Sequence, residues 1–372
     1  MATKAPSIVL LGSDIRRDGT FVLDYFQDLA FHIMYRTQPY NDHRPEELRH
    51  ARLHRFSWFG AKGLLDAIAP DAIVSGADVF CLAHLPRFIA TWYLAKRCRA
   101  RWIPFVLENR PLETRYSAWT LLWAKPLLKW LLRDAWFVMV GNDGARATAL
   151  ALGVPAQKIE RLLFSNWGVD LERFRPHASK QAEVPTFLFV GRLVAEKGLL
   201  DAYQALTEAA QSLKKTLRFW VVGDGPLKAT LDQWVSTKGP VEVQAMGVLP
   251  NSDLPRLFGT AWLTLAPSKT TPKWAEQIGV VNFQSLACGT PILTTRSGAI
   301  PEFISEQGAG AQLVDEGDVG AMAAFLKQFV SDASYRQGLV QQTRQYAIEK
   351  FDARKNVRRF EQVILVRLKA SS

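Results

Sequence analysis

The stretch FLFVGRLVAEKG, residues 187–198, carries the pattern from which the fold is inferred. An apolar run ends at Val190, Gly191 turns the chain, and the cations Arg192 and Lys197 follow. Similar apolar runs, separated by ten or more residues of helical spacing, are SIVLLG (7–12), AIVSG (72–76), IPFVLE (103–108), FVMVG (137–141), RFWVVG (218–223), WLTLAP (262–267) and PILTT (291–295). Short buried strands that alternate with helices are typical of βαβ units, so we predict an α/β chain with parallel sheets.

The chain length favours two domains. With 372 residues the chain exceeds what one hydrophobic core usually holds. The polar segment RPHASKQAEVP, residues 175–185, interrupts the alternation and is interpreted as a linker. We therefore predict two doubly wound, Rossmann-like domains, at residues 1–178 and 179–351. A closing helix over 352–372 is expected to return to the first domain.

Composition excludes several classes of protein. The three cysteines Cys81, Cys98 and Cys288 lack the spacing of a disulfide scaffold or a zinc site. No apolar run reaches the roughly 18 residues of a membrane span, and the first one is too short for a signal peptide. We therefore expect a cytoplasmic protein. The net charge of +11 points to an anionic partner. No recognised nucleic-acid motif accompanies the charge, so nucleic acid is not the expected partner.

The basic charge is concentrated in one part of the chain. Residues 81–146 contain eleven lysines and arginines against four acids, together with six of the twelve tryptophans. Within it, residues 117–136 have helical spacing, with tryptophans among leucines and cations beside them. This pattern fits a helix in contact with anionic membrane, or a core helix with a solvated basic face. Tryptophan and leucine at helical spacing favour the core helix.

Residues that follow the strands of the second half suggest an anion site. Arg192 and Lys197 could grip a diphosphate, although Arg192 could instead form a salt bridge with Glu196. Gly279 precedes an amphipathic run, so backbone N–H groups near it would face an anion at a helix N-terminus. Glu276 stands just ahead of that turn. The GDGP segment at 223–226 is better explained as a strand–turn–helix junction than as a phosphate loop.

Taken in order, these segments resemble a known family. VGRLVAEKG, VVGDGP, AMGVLPNSDLPRLFGTAWLTLAPS and EQIGVVNFQSLACGTPILTTRSGAIPEFI resemble the nucleotide-sugar half of retaining GT-B glycosyltransferases of family four, the glycosyl transferases group 1. The resemblance is strong over roughly 185–350 and fainter before it. It implies two Rossmann-like domains that face each other across a cleft.

The resemblance also implies roles for individual residues. Arg192 and Lys197 would neutralise the departing diphosphate, and Glu276 would hold hydroxyls of the donor sugar. The remaining donor-binding positions would be Gly191, Gln277, Ile278, Gly279, Val280, Gln284, Gly247, Val248 and Leu249. Gln284 occupies the second acidic position of the family's Glu-x7-Glu pattern, where the family binds the ribose. Without the carboxylate a charge-assisted hydrogen bond is lost, which places donor affinity and nucleotide preference in question.

The first half is expected to bind the acceptor. Residues that would line the cleft on this side are Gly12, Ser13, His84, Glu108, Asn109 and Asn142. Many relatives carry a histidine where Glu108 and Asn109 stand, and neither of these is a clear base. His84 is more simply explained as a capping or core residue, and Asn142 fits the cleft or a helix cap equally well.

The predicted reaction needs no bound metal and no cofactor. No Asp-x-Asp metal motif stands at a strand end, so the cations would stabilise the leaving diphosphate. We expect a retaining transfer of a sugar from a nucleotide diphosphate sugar to a saccharide acceptor, which would be lipid-linked if residues 117–136 contact membrane. The product would be a surface polysaccharide or a lipopolysaccharide-type glycan. The alternative is a degenerate protein of the same fold that binds sugar nucleotide or glycan without turnover.

Overall fold

The computed structural model describes residues 5–12, 20–36, 52–78, 80–163, 167–177, 183–305 and 307–370. The chain forms two compact units. The first unit contains Met1–Trp167 and Ala353–Ser372, and the second contains Gly168–Asp352.

The first unit is built on a parallel sheet. Its strands within the described residues are β1 (Ser7–Leu11), β2 (Ala30–Tyr35), β3 (Leu53–Arg55), β4 (Ala72–Asp78), β5 (Arg101–Val106), β6 (Val138–Val140) and β7 (Ile159–Arg161). The order in the sheet is β3-β2-β1-β4-β5-β6-β7, and every pairing is parallel. The strand order reverses between β1 and β4, where ligands commonly bind in open α/β sheets.

Helices connect these strands and cover the sheet. The α-helices that the structure describes in the first unit are α1 (Ala61–Ile68), α2 (Leu85–Arg97), α3 (Leu112–Arg115), α4 (Ala118–Arg133), α5 (Asp143–Ala151) and, after the second unit, α13 (Ala353–Lys369). Helix α13 contributes Val357, Phe360 and Ile364 to one of the buried clusters of this unit. The Glu361 carboxylate, which is 1% exposed, accepts hydrogen bonds from three successive backbone N–H groups, at residues 27–29. The last helix is therefore an integral part of the first unit.

The second unit has its own parallel sheet. Its strands within the described residues are β8 (Thr186–Val190), β9 (Leu217–Val222), β10 (Val241–Gly247), β11 (Leu263–Ala266), β12 (Ile292–Thr295) and β13 (Ala311–Val314). The order is β10-β9-β8-β11-β12-β13, all parallel. Here the order reverses between β8 and β11. The quoted stretch of sequence forms β8, whose Phe187, Leu188 and Phe189 are buried.

Helices also connect the strands of the second unit, and several of them contribute buried side chains to its core. They are α6 (Leu199–Leu213), α7 (Lys228–Ser236), α8 (Leu254–Thr260), α9 (Val280–Ala287), α10 (Ile300–Phe303), α11 (Val319–Ser331) and α12 (Ala333–Lys350). Within the described part of the chain, no helix has both the length and the hydropathy of a membrane span.

The division between the units differs from the predicted one. The second unit begins at Gly168, about ten residues before the predicted boundary at 178/179, and ends at Asp352 where 351 was predicted. The physical reason is Arg344, whose guanidinium donates hydrogen bonds to the carbonyl oxygens of Leu171, Phe174 and Ala287, at 3.0, 2.7 and 2.6 Å. These bonds hold the segment after residue 168 on the second unit. The middle of the predicted linker, residues 178–182, lies outside the described residues.

Candidate functional site

The motifs of the second unit meet at one edge of its sheet. Because all its strands are parallel, the segments that follow β8, β9, β10, β11 and β12 lie at the same carboxyl edge. The backbone confirms their proximity: Gly191 N–H donates to the Val222 carbonyl, and Gly223 N–H donates to the Gly247 carbonyl. Gly223 has a φ of +139°, and a Cβ there would stand 1.8 Å from the Gly191 carbonyl oxygen, so only glycine allows this approach.

A lysine–glutamate pair lies at this edge. The Lys197 ammonium is 2.6 Å from Oε2 of Glu276, and the two side chains are only 23% and 13% exposed. Lys197 ends a single 3₁₀ turn after β8, and Glu276 lies in the segment between β11 and α9. The structure thus brings together two of the three residues predicted to be catalytic, although they are 79 positions apart in the sequence.

Glu276 is fixed by groups on its own side of the site. Its Oε2 also accepts a hydrogen bond from Ser268 Oγ at 3.0 Å, and its carbonyl oxygen accepts one from the Ala299 N–H at 2.8 Å. Ser268 follows β11, and Ala299 precedes α10. The carboxylate is therefore held in one position by elements that extend from two neighbouring strands.

An aromatic ring beside Lys197 was missed in the sequence analysis. The Lys197 ammonium lies 4.5 Å from the ring centre of Trp274, which is cation–π distance. Trp274 is held by a tight turn: its carbonyl accepts from the Thr271 N–H at 2.7 Å, and its N–H donates to Thr271 Oγ1 at 3.0 Å. The only signal in the sequence is an indole two positions before Glu276, which had no interpretation without the fold.

Arg192 is placed differently from Lys197. Its side chain is 59% exposed, and its guanidinium lies 3.6 Å from Glu196, one helical turn along the chain. This is the salt bridge that the sequence analysis offered as the alternative to phosphate binding. In this structure, Lys197 points into the site, whereas Arg192 is at its solvent-exposed border.

Helix α9 begins beside Glu276. Its N-cap is Gly279, with a φ of +76° that favours glycine, and no side chain caps the N-terminus. The Asn282 N–H donates to the Gly279 carbonyl at 2.9 Å, whereas the N–H groups of Val280 and Val281 have no hydrogen bond to a described residue and remain for another partner. Gln277 lies on the approach to the helix, and the Ile278 side chain is buried at 4% exposure. Ile278 contributes packing, so any contact with a ligand there would come from its backbone.

Gln284 lies in the second turn of α9 and is buried. Its side chain is 9% exposed and forms no hydrogen bond to any residue that the structure describes. By contrast, the predicted base-binding loop is open: Gly247 and Val248 are exposed, and Leu249 is half-buried. Gly247 has a φ of +66°, which turns the chain away from β10.

In the first unit, two carboxylates lie where neighbouring strands end: Asp78 at the end of β4 and Glu108 just after β5. Asp78, at the end of β4, accepts hydrogen bonds from the backbone N–H groups of Phe80, Leu107 and Glu108 at 2.9, 3.0 and 2.7 Å. Burial raises the pKa of Asp78, against the effect of these bonds. Asp78 ties the ends of two strands together and was not predicted from the sequence.

Glu108 is engaged by two arginines. Its carboxylate lies 2.9 Å from Arg110 and 3.5 Å from Arg115. Burial alone would raise the pKa of Glu108, but the hydrogen bonds from Arg110 and the charge of Arg115 outweigh it, and the pKa is lowered. A paired, ionised carboxylate is a poor general base. Its neighbour Asn109 lines a cavity of about 240 Å³ together with Leu112, Lys125 and Ala147.

Two of the other residues predicted to line the acceptor side, Asn142 and His84, stand at helix N-termini. Asn142 is fully buried: its Oδ1 accepts from the Ala145 N–H at 2.8 Å and caps α5, while its amide donates to the Leu107 carbonyl. Of the two alternatives offered for Asn142, the structure shows the helix cap. His84 is the half-buried N-cap residue of α2, where the Cys81 thiol raises the pKa of its imidazole. Gly12 follows β1 directly, and Ser13 lies outside the described residues.

No group of three or more histidines, cysteines and acids suited to a metal ion occurs in the part of the chain that the structure describes. The charged groups at the carboxyl edge of the second sheet include the Lys197–Glu276 pair and the exposed Arg192, and the nearby Lys269 and Arg296 are paired with Asp201 and Asp315. The arrangement offers a cation and free helix N–H groups to an anion, with a carboxylate within reach of neutral hydroxyl groups.

Residues 170–346 match the family described as Glycosyl transferases group 1. This part of the chain belongs to that family. The predicted family is confirmed, and the group 1 domain coincides with the second unit, which contains Lys197, Glu276 and α9.

Curated relatives match over different lengths. The chain is 27% identical over 290 residues to the GDP-mannose-dependent alpha-(1-6)-phosphatidylinositol monomannoside mannosyltransferase of Mycolicibacterium smegmatis, covering 74% of this chain and 73% of the relative. It is 32% identical over 183 residues to the putative colanic acid biosynthesis glycosyltransferase WcaL of Salmonella typhimurium, covering 48% of this chain and 44% of the relative. The chain spans about half the length of several other relatives that it matches.

Solved structures share the fold of the whole chain. The crystal structure of Anabaena Alr3699/HepE in complex with UDP and glucose matches with a TM-score of 0.72 at 15% identity, over 96% of this chain and 98% of that one. At this identity the likeness shows the fold alone. The chain has the GT-B fold, with two Rossmann-like domains of parallel sheets and covering helices, as the sequence predicted.

Proposed function

We propose that the protein is a retaining, metal-independent glycosyltransferase. It would transfer a sugar from a nucleotide diphosphate sugar to a hydroxyl of a saccharide acceptor. The observation that carries this proposal is the Lys197–Glu276 pair, at 2.6 Å, beside the uncapped N-terminus of α9 at the carboxyl edge of the group 1 domain. A cation, backbone N–H groups and a carboxylate in one place match a ligand that combines an anion with hydroxyl groups.

The chemistry follows from the charges. The bond between the sugar C1 and the diphosphate oxygen breaks, and negative charge grows on that oxygen. Lys197 and the first N–H groups of α9 stabilise this charge. Arg192 is 59% exposed and its guanidinium has a 3.6 Å contact to Glu196, so it can turn toward the same charge. A bond forms between C1 and the acceptor oxygen on the same face from which the diphosphate leaves, so that the configuration is retained, and the acceptor proton passes to the departing phosphate oxygen. These cations take the place of a divalent metal, and no cofactor is required.

Glu276 would bind donor-sugar hydroxyls. Lys197 and Ser268 both contact Oε2 and hold the carboxylate in place, and a carboxylate oxygen is a natural acceptor for a sugar hydroxyl. Gln284 would bond the ribose through its amide, since its buried side chain has no partner among the described residues. The proposal includes the backbone of Gln277 and the Gly247–Leu249 loop as further donor contacts.

We propose that the acceptor is a lipid-linked saccharide, on the way to a surface polysaccharide or lipopolysaccharide-type glycan. Two relatives support this: the name of the mannosyltransferase specifies a phosphatidylinositol monomannoside, and that of WcaL specifies colanic acid biosynthesis. The cavity beside Asn109 is the candidate acceptor pocket of the first unit. The protein would work in the cytoplasm, at the inner face of the plasma membrane, through residues 117–136.

The experiment is a donor screen followed by turnover. Thermal shifts with UDP-, GDP-, ADP- and dTDP-sugars identify the donor, and release of nucleotide with and without a lipid extract measures transfer. We expect one donor class to raise the melting temperature and to turn over, and the anomeric configuration of the product, read by NMR, to be retained. Binding without turnover would instead favour the non-catalytic sugar-nucleotide binder, and no binding by any donor would refute both.

A further inference from the structure

The outer face of α4 is an exposed apolar stripe. Trp119, Leu122, Trp123 and Trp130 are 83%, 73%, 52% and 51% exposed. Leu122 and Trp123 stand three and four positions after Trp119, and Trp130 stands seven positions after Trp123, which places all four along one side of the helix. Every exposed tryptophan of the described residues is on this helix. The core-helix interpretation that the sequence favoured therefore holds for Leu128, Leu131 and Leu132, which are buried, but not for the tryptophans, which are exposed.

The exposed stripe is separate from the side of α4 that packs into the core. Ala124, Leu128, Leu131 and Leu132 are 0–3% exposed and pack into the first unit. The helix therefore presents apolar side chains on two sides. From Trp119 to Trp130 the outer side extends about 16 Å, at 1.5 Å per residue. A contiguous exposed apolar patch commonly marks an interaction surface, and of these indoles Trp130 is partly covered by the Trp92 ring, with 5.1 Å between the ring centres.

The charges around the stripe are positive. The helix contains Lys125, Lys129 and Arg133 and no acidic residue. Lys129 and Arg133 are exposed, and neither has an acidic partner among the residues that the structure describes. The acids at the two ends of the helix are already paired. Glu113 is bound by Lys125, and Asp134 accepts from Lys96 at 3.0 Å and from the Trp92 indole at 2.8 Å.

These features favour one kind of partner. Indole rings prefer the headgroup region of a bilayer, and exposed lysines and arginines are attracted to anionic lipid. A second copy of the chain fits less well, because a two-fold contact would place the same cations against each other. We propose that the outer face of α4 is a docking surface for anionic membrane. Trp119, Leu122 and Trp123 insert into the headgroup region, and Lys129 and Arg133 contact lipid phosphates.

Membrane docking rests on the proposed function for its purpose, which is access to a lipid-linked acceptor. Docking itself can be measured without turnover. Its test is sedimentation of the full chain with vesicles of phosphatidylcholine containing about 30% phosphatidylglycerol, or none, without donor. The apolar variant is Trp119→Ser, Leu122→Ser and Trp123→Ser combined. Its matched control replaces three exposed apolar residues elsewhere, Phe59→Ser, Val235→Ser and Val366→Ser.

The charge variant combines Lys129→Gln and Arg133→Gln, and its control is Lys238→Gln with Arg256→Gln, which removes the same charge from the other unit. We expect the wild type to bind anionic vesicles and to be released by salt. The charge variant should bind about 25-fold more weakly, roughly fivefold per cation, and both controls should bind like the wild type. The apolar variant should lose at least tenfold.

Equal binding to neutral and anionic vesicles would overturn the proposal, as would unchanged binding by the apolar and charge variants. So would a wild-type dimer, seen by sedimentation velocity, that the apolar variant abolishes, because the face would then be a self-interface. If the apolar variant proves unfolded by its melting curve, the charge variant and the salt titration still decide. Nucleotide release in solution, measured on the same proteins, should be equal in all of them, so that a failure of docking is distinguishable from a failure of the proposed enzyme.

Discussion

Replacing Lys197 by alanine is the most direct perturbation of the proposed site. It removes the ammonium that lies 2.6 Å from Glu276, in a site where the two side chains are 23% and 13% exposed. In such partly dry surroundings a cation interacts more strongly with a developing negative charge than it does in water. The variant keeps the Ser268 hydrogen bond to Glu276, so the carboxylate is not left without a partner.

The expected size follows from this geometry. Loss of one preorganised stabiliser of transition-state charge lowers kcat by about 10²- to 10³-fold, or roughly 3–4 kcal/mol of activation free energy. The KM for the donor should rise much less, because the leaving oxygen carries less charge in the ground state. The free energy of unfolding should fall by about 1–3 kcal/mol, since Glu276 loses its charged partner.

The assay is steady-state release of nucleotide from the donor identified by thermal shift, with urea unfolding of the same samples. The matched control is Lys228→Ala in the same unit, which breaks a lysine–aspartate pair of equal length, 2.6 Å, on an exposed helix. The control should keep wild-type kcat. A Lys197→Ala enzyme whose kcat falls less than threefold, while it remains folded, would refute the role assigned to Lys197.

Three further predictions concern residues outside the predicted set. Trp274→Leu should lower kcat/KM for the donor about 2- to 30-fold through loss of the cation–π contact with Lys197, and Trp274→Phe should recover part of it in the same nucleotide-release assay. Arg344→Ala should lower the free energy of unfolding, measured in urea, by about 3 kcal/mol, because three backbone carbonyls lose a charged donor. In brief iodoacetamide labelling at pH 7, Cys81 should react first, since hydrogen bonding from His84 lowers the pKa of its thiol, whereas burial raises the pKa of Cys288 to about 12.

Each of these has a clear contrary outcome. Wild-type kinetics for Trp274→Leu would show that the indole does not orient Lys197. An Arg344→Ala protein with wild-type stability would show that residues 168–177 are held by other contacts. Peptide mass spectrometry that finds Cys288 labelled before Cys81 would contradict the assigned thiol environments.

Much of the donor side was predictable because its signals are local. Parallel strands buried on both faces appear as continuous apolar runs, and β8, β9, β11 and β12 lie where such runs stand. The edge at which Lys197 and Glu276 meet follows from parallel topology alone. Trp274 was not predictable, because its place over Lys197 depends on how the turn from Thr271 folds back.

The helix α4 shows a different limit. The spacing of its apolar residues correctly predicted a helix. Because the helix is apolar on two sides, the spacing could not show which side faces the core. Only packing separates the leucine side from the tryptophan side. The predicted boundary at 178/179 differs from the observed one at Gly168 for a similar reason. Composition detects the polar run at 175–185, but it does not detect the hydrogen bonds that Arg344 donates to the segment before that run.

The insertion of the second unit within the first has a consequence for biosynthesis. The group 1 domain is continuous in sequence, but the first unit lacks Val357, Phe360 and Ile364 of its buried cluster until the ribosome has made residues 353–370. At about 5–20 residues per second, the intervening segment takes roughly 10–40 s to synthesise. During that interval the earlier-made half has an unfilled groove beside Phe31 and Trp167. We therefore expect the nascent chain to depend on chaperone protection in this window.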